Sequence, residues 1–237
     1  HTAYRRQRQM CIRDRYSMNK LTIIVTYYNA EEYITGCLES IKQQRTQDFN
    51  LIIVNDGSTD QSKKLMDEAI KDYDKNIRFI DLDENSGHAH ARNIALEEVE
   101  TPYFMFLDAD DELASYAITF YLEKFNNTDG LIAPIHSFTT QRPQFVDLDR
   151  VRVEYFNAKG NINSFLRKQS ACNIIFRTAI VRAHHIRFNE NLNTYVDWSF
   201  VLEYMKYVNK FVRIFNFPFY FRGEVYDPFE TLTLSEQ

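Results

Sequence analysis

Tyr103-Phe104-Met105-Phe106-Leu107-Asp108-Ala109-Asp110-Asp111-Glu112 is an apolar run that ends in four carboxylates within five residues. The apolar part reads as a buried strand whose end opens onto solvent. Packing like charges this densely is unfavourable unless something positive compensates them, and a divalent cation carrying a diphosphate is such a partner. Mg²⁺ or Mn²⁺ is typically held by one or two protein carboxylates, with water and phosphate oxygens completing its shell. The same residues also read as an acidic strand-end turn leading into a helix that begins at Glu112, because negative side chains suit helix N-termini.

Apolar runs and helical periodicities alternate before this stretch. Leu21-Thr22-Ile23-Ile24-Val25 predicts a buried strand, and Ile34, Cys37, Leu38 and Ile41 follow at helical spacing. Leu51-Ile52-Ile53-Val54 predicts a second strand. Leu65, Ala69, Ile70 and Tyr73 mark a second helix, with Ser58, Thr59 or Asp60 as its N-cap. Ile77 to Leu82 is a third strand, and Ala91, Ile94, Ala95 and Val99 mark a third helix. This alternation implies an α/β fold with a mostly parallel sheet flanked by helices. Parallel crossovers send every strand the same way, so the residues after each strand share one edge, where ligands bind in open α/β sheets. Those residues are Thr26-Tyr27-Tyr28-Asn29, then Asn55-Asp56-Gly57-Ser58-Thr59, then the clustered carboxylates. Three polar clusters converge there.

From Pro134 the pattern loosens. Residues 134–160 read as loop-rich, followed by a short helix near Ile162 to Leu166 and a strand at Asn173 to Phe176. A turn of helix near Thr178 to Ala183 and a helix from Asp197 to about Val208 come next. Strand-like segments at Phe211 to Phe215 and Phe219 to Phe221 close the pattern. Residues 18–237 are expected to form one domain with two halves, 18–133 and 134–237. The domain is expected to be the N-terminal module of a longer protein.

The 237 residues contain 44% hydrophobic side chains, enough for a substantial core. No apolar run approaches the ~18 residues of a membrane span, so association with a membrane is at most peripheral. Cys11, Cys37 and Cys172 are scattered, which fits a reducing cytosol better than a disulfide framework or a zinc site. Residues 1–17 crowd five Arg, have no apolar signal core, and resemble translated sequencing-adapter DNA; they are read as a non-native or disordered tail, with Met18 as the start. Without their five Arg and one Asp (net +4), the charge falls from −5 to −9. Such acidity argues against a nucleic-acid partner, which needs a basic face. His184-His185 and His88-Ala89-His90 lack zinc-like spacing and are read as structural or loop residues.

Several short motifs support a family resemblance. They are Ile23-Ile24-Val25-Thr26-Tyr27-Tyr28-Asn29-Ala30-Glu31-Glu32-Tyr33, Val54-Asn55-Asp56-Gly57-Ser58-Thr59-Asp60, Asn85-Ser86-Gly87 with Ala91-Arg92-Asn93, Leu107-Asp108-Ala109-Asp110-Asp111, and Val196-Asp197-Trp198 with Phe200. In this order and spacing the chain resembles the family-2 glycosyltransferases of the GT-A fold, over about Leu21 to Phe221. It is closest in feel to those of bacterial cell-envelope and teichoic acid synthesis.

The resemblance implies an inverting, metal-dependent transfer from a UDP-sugar to an acceptor hydroxyl, of hexosyl or N-acetylhexosaminyl type. Tyr28 would stack on the nucleobase with Thr26 beside it, and Asp56 would accept a hydrogen bond from uracil N3. Arg92 would contact the nucleotide or its phosphates. Asp108 would lie near the ribose and the metal, Asp110 would ligate Mn²⁺ or Mg²⁺, and Asp197 would be the catalytic base. The implied acceptor is a glycan, a polyol-phosphate or a lipid-linked molecule, and the implied location is the cytoplasm at the inner face of the cell membrane.

The chain departs from the family pattern in three places. Thr26 stands where Pro is common, Asn55 precedes Asp56 where Asp is frequent, and Val196 replaces the Glu that usually precedes the late Asp. Val196 bears on how the acceptor is oriented, and it is the best support for an alternative, a degenerate non-catalytic module. A nucleotidyltransferase is a further alternative. It usually carries a Gly-rich phosphate loop with a basic residue after the first strand, and Thr26-Tyr27-Tyr28-Asn29 has neither.

Overall fold

The computed structural model describes residues 19–73, 76–125, 127–137, 150–157, 170–216 and 219–222. Strands β1 (Leu21–Tyr27), β2 (Asn50–Asn55) and β4 (Tyr103–Asp108) are almost wholly buried along their length. That is why they read as continuous apolar runs: helices cover both faces of a parallel sheet. With β3 (Ile77–Asp81) they make the parallel part of the sheet, in the order β3-β2-β1-β4. Helices α1 (Ile34–Lys42), α2 (Ser62–Ile70) and α3 (His88–Glu97) are the crossovers. The first buries Ile34, Cys37, Leu38 and Ile41, the apolar face its spacing predicts.

The sheet does not stop at β4. Strand β9 (Ile174–Arg177) adds antiparallel to it, and β6 (Gly130–Ile132), β10 (Lys210–Ile214) and β8 (Val153–Asn157) extend the sheet to eight strands of mixed direction. Elements on both sides of residue 133 thus share one sheet. A second sheet places β11 (Tyr220–Arg222) between β5 (Glu112–Leu113) and β7 (Ile135–Ser137). Helices α4 (Ala117–Lys124), α5 (Thr178–Ala183) and α6 (Val196–Met205) complete the described fold.

Four expectations need correction. Glu112 does not begin a helix; it pairs with Phe221 in a two-residue strand, and the helix starts at Ala117. Pairing with a strand more than a hundred residues away overrides the local acidic signal. Residues 134–160 are not wholly loop, since β7 and β8 lie in their described part. Helix α6 ends at Met205 rather than Val208. Helix α2 starts at Ser62, whose N–H donates to Asp60 Oδ1 at 2.9 Å, while Ser58 Oγ accepts from Asn29 N at 3.0 Å instead of capping. The expected helix at 162–166, the tail at 1–17 and Cys11 lie outside the described residues.

An aromatic cluster supports the sheet edge from below. Phe104 stacks on Phe176 at 5.3 Å and Phe188 on Phe200 at 4.1 Å, with Phe106 edge-on to all four of these rings. Such pairs add about 0.5–1.5 kcal/mol each beyond their buried area.

Candidate active site

Sheet register brings the distant motifs together. Thr26 pairs with Asp108 across β1 and β4, and Tyr27 pairs with Asn55 across β1 and β2. The loops beyond are then stitched by side chains. Asn29 takes a left-handed backbone (φ 47°) and its Oδ1 accepts from Thr59 N at 2.9 Å. Ala30 N donates to Ser62 Oγ at 2.7 Å, and Asp56 N donates to Tyr27 O at 2.9 Å. Gly57 (φ +66°) presses against the backbone of Glu84 and Asn85, so it leaves no room for a side chain.

The Asp56 carboxylate is buried and accepts from Ser86 N at 2.8 Å through Oδ1. It lines a slot of about 280 Å³ together with Thr26, Tyr28, Asn85 and His88. Tyr28 is 45% exposed and lines this slot, so its ring is open to a ligand there. A wider cleft of about 490 Å³ adjoins this slot. It is walled by Thr26, Tyr28, Arg92, Asp108, Asp110 and Asp197, with Ser170 and Arg222 also facing it. Every residue to which the family resemblance gives a role lies on this slot or this cleft.

Buried Arg92 organises the floor of the cleft. One terminal nitrogen donates to Asp108 Oδ1 at 2.7 Å and the other to Asp197 Oδ1, while Phe106 and Phe188 flank the guanidinium at 5.2 Å each. Burial opposes its charge, but Asp108, Cys172 and Asp197 together push its pKa well up. The Cys172 thiol donates to Asp108 Oδ2 at 3.0 Å. Asp197 lies in the first turn of α6, and its Oδ2 accepts from Ser170 Oγ and Ala171 N, both at 3.0 Å. Burial alone would raise its pKa; the Arg92 charge and these donors outweigh burial and hold it below the ordinary carboxylate range.

Oxygen atoms of Asp108, Asp110 and Asp111 lie within 4.8 Å of one another. Asp111 is buried and accepts from the Tyr220 hydroxyl at 2.5 Å. Asp110 receives no hydrogen bond from another residue among the described ones, and burial, then the Asp108 charge, push its pKa up. The Arg222 charge acts the other way without cancelling this rise. An all-oxygen donor set with one unengaged carboxylate fits Mg²⁺ or Mn²⁺.

Sequence reasoning missed Ser170, Cys172 and His88 as parts of the site. Ser170 and Cys172 carry no motif signal, and their role follows only from the turn that brings them under Asp197. Among the described residues, no helix is long and apolar enough to cross a membrane.

Comparison with known proteins agrees with this geometry. A poly(ribitol-phosphate) beta-N-acetylglucosaminyltransferase, TarS of Staphylococcus aureus, is 28% identical over 201 residues, covering 78% of this chain and 32% of TarS. A poly(ribitol-phosphate) beta-glucosyltransferase of Bacillus spizizenii is 34% identical over 115 residues, covering 46% of this chain and 18% of that protein. The chain thus spans well under two thirds of these relatives. The crystal structure of a S. aureus TarS fragment in complex with UDP superposes with a TM-score of 0.72 at 25% identity, covering 86% of this chain and 60% of that one. The fold is therefore GT-A. The family model "Glycosyl transferase family 2" matches residues 22–187, and the chain belongs to that family.

Proposed function

We propose that this chain transfers a sugar from a UDP-sugar to an acceptor hydroxyl with inversion at the anomeric carbon. The observation that carries this reading is the adjacency of two spaces. The slot at Asp56 shares Thr26, Tyr27, Tyr28 and His88 with the cleft that holds Asp108, Asp110 and Asp197. A nucleotide sugar laid along it would put its base at one end and its reacting carbon near the other. The UDP held by TarS and the ribitol-phosphate polymers named for both relatives support a UDP donor and an envelope-polymer acceptor. The acceptor reading is a polyol-phosphate, a glycan or a lipid-linked precursor, met at the inner face of the cell membrane.

The chemistry follows from the side chains. The Tyr28 ring offers a face for the base, with Thr26 beside it, and the Asp56 carboxylate accepts from uracil N3–H as a charge-assisted hydrogen bond. Asp110 and Asp108 would hold the divalent cation. Bound there, Mg²⁺ or Mn²⁺ supplies a Lewis acid for the negative charge on the departing diphosphate. Asp197 is ionised at neutral pH and fixed by Arg92, Ser170 and Ala171. It takes the acceptor proton as the new bond forms. Attack from the side opposite the diphosphate inverts the configuration and needs no sugar–enzyme intermediate.

Incubating the chain with a panel of UDP-sugars, Mn²⁺ and polyol-phosphate or glycan acceptors, and measuring UDP release, tests the reading. Release must depend on acceptor and fall in Asp110→Ala and Asp197→Asn. Wild-type rates in Asp110→Ala would reject the cation assignment, and full transfer in Asp197→Asn would reject the base.

A further inference from the structure

The slot and the cleft meet at a seam, and Thr26, Tyr27, Tyr28 and His88 line both spaces. His88 is the first residue of α3, directly after Gly87, whose φ of 90° turns the chain there. His90, two residues on, is engaged elsewhere: its Nδ1 lies 3.1 Å from Glu190 Oε2. His88 is exposed by area, yet burial is the main cause of its lowered pKa, followed by the Arg92 charge. A side chain both wetted and surrounded lines a concavity. Lining both spaces, it lies between Asp56 on the slot and Asp108 and Asp197 on the cleft.

A nucleoside diphosphate spanning those ends must pass its ribose and first phosphate along this seam. Both terminal nitrogens of Arg92 are taken by Asp108 and Asp197, and Arg222 lines the cleft but not the slot, so among the residues lining both spaces His88 is the one that carries a ring N–H. We propose that His88 binds the donor, its imidazole N–H donating a hydrogen bond to the first phosphate of the nucleoside diphosphate. This deepens the UDP-sugar reading above and rests on it. A phosphate is preferred to a ribose hydroxyl as the acceptor because a hydrogen bond to an anion is roughly twice as strong.

Calorimetric titration of the full chain with uridine, UMP and UDP in the presence of Mn²⁺ tests the assignment. His88→Ala is expected to lose about tenfold in affinity for UMP and UDP while binding uridine like wild type. His88→Gln, which keeps a donor, recovers part of the loss, and His90→Ala binds all three ligands normally. Equal losses for uridine and UDP overturn the phosphate contact, as does wild-type UDP affinity in His88→Ala. Failure of the wild-type chain to bind UDP at all rejects the underlying donor reading instead.

Discussion

Arg92 and Asp197, 105 residues apart in the sequence, are joined by a charge-assisted hydrogen bond in the floor of the cleft. The same guanidinium holds Asp108 at 2.7 Å. One side chain thus fixes the spacing between the proposed base and the carboxylate beside the proposed cation.

Removing Arg92 leaves two carboxylates without their cation. Breaking a fully buried pair costs about 3–5 kcal/mol. Asp108 and Asp197 retain 32% and 23% side-chain exposure, so Arg92→Ala is expected to destabilise by about 2–4 kcal/mol in urea unfolding. Arg92→Lys keeps the charge but not the planar fork and should fall between the two. A loss below about 0.5 kcal/mol would show that the bridge contributes nothing.

Asp197 links stability to pH. Its folded pKa is depressed, so its contribution is present above the unfolded value of about 3.9 and fades as pH falls through the lower folded value. Asp197→Asn should narrow its stability gap to wild type as the solution is acidified from pH 5 toward pH 2. Transfer should slow about 10²- to 10⁴-fold, with UDP affinity preserved. Equal acid unfolding profiles for the two proteins would contradict the assigned shift.

Asp110 predicts the opposite sign. Its raised pKa means that the ionised carboxylate opposes folding in the absence of a cation. Asp110→Asn should therefore melt about 2 °C higher than wild type in EDTA. Mn²⁺ should raise the melting temperature of wild type and leave the variant unmoved. A manganese response in the variant as large as wild type's would place the ion elsewhere.

Gly57 sets the shape of the nucleobase slot. A Cβ there would sit 2.4 Å from Glu84 C and 2.6 Å from Asn85 N, on a backbone with φ +66°. Gly57→Ala combines this clash with an unfavourable left-handed conformation, for about 2–3 kcal/mol of destabilisation. Because Asn85 lines the slot, UDP affinity should fall as well. An unchanged calorimetric affinity would mean that the loop yields without moving Asn85.

The parallel half of the fold was legible because doubly covered strands such as Leu51–Val54 announce themselves as unbroken apolar runs. Their shared direction alone puts Tyr28, Asp56 and Asp108 on one edge. The three-residue strands Gly130–Ile132 and Ile135–Ser137 were not legible, since segments so short carry no periodicity. Glu112 misled for the same reason, because its strand partner Phe221 is invisible locally. Asp197 was readable from its motif, but its hold by Arg92, Ser170 and Ala171 depends on long-range packing that no local pattern encodes. His88 has no zinc-like spacing with His90; what distinguishes the two is their surroundings, since His90 lies against Glu190 and His88 lines both the slot and the cleft.

Chain order also gives the site an order in time. A translating ribosome releases Tyr28, Asp56, His88 and Asp108 well before it makes Asp197, and makes Tyr220, which tethers Asp111, later still. A nascent chain can thus assemble its nucleotide berth first, while the machinery for proton removal stays incomplete until the late segments have docked beneath it.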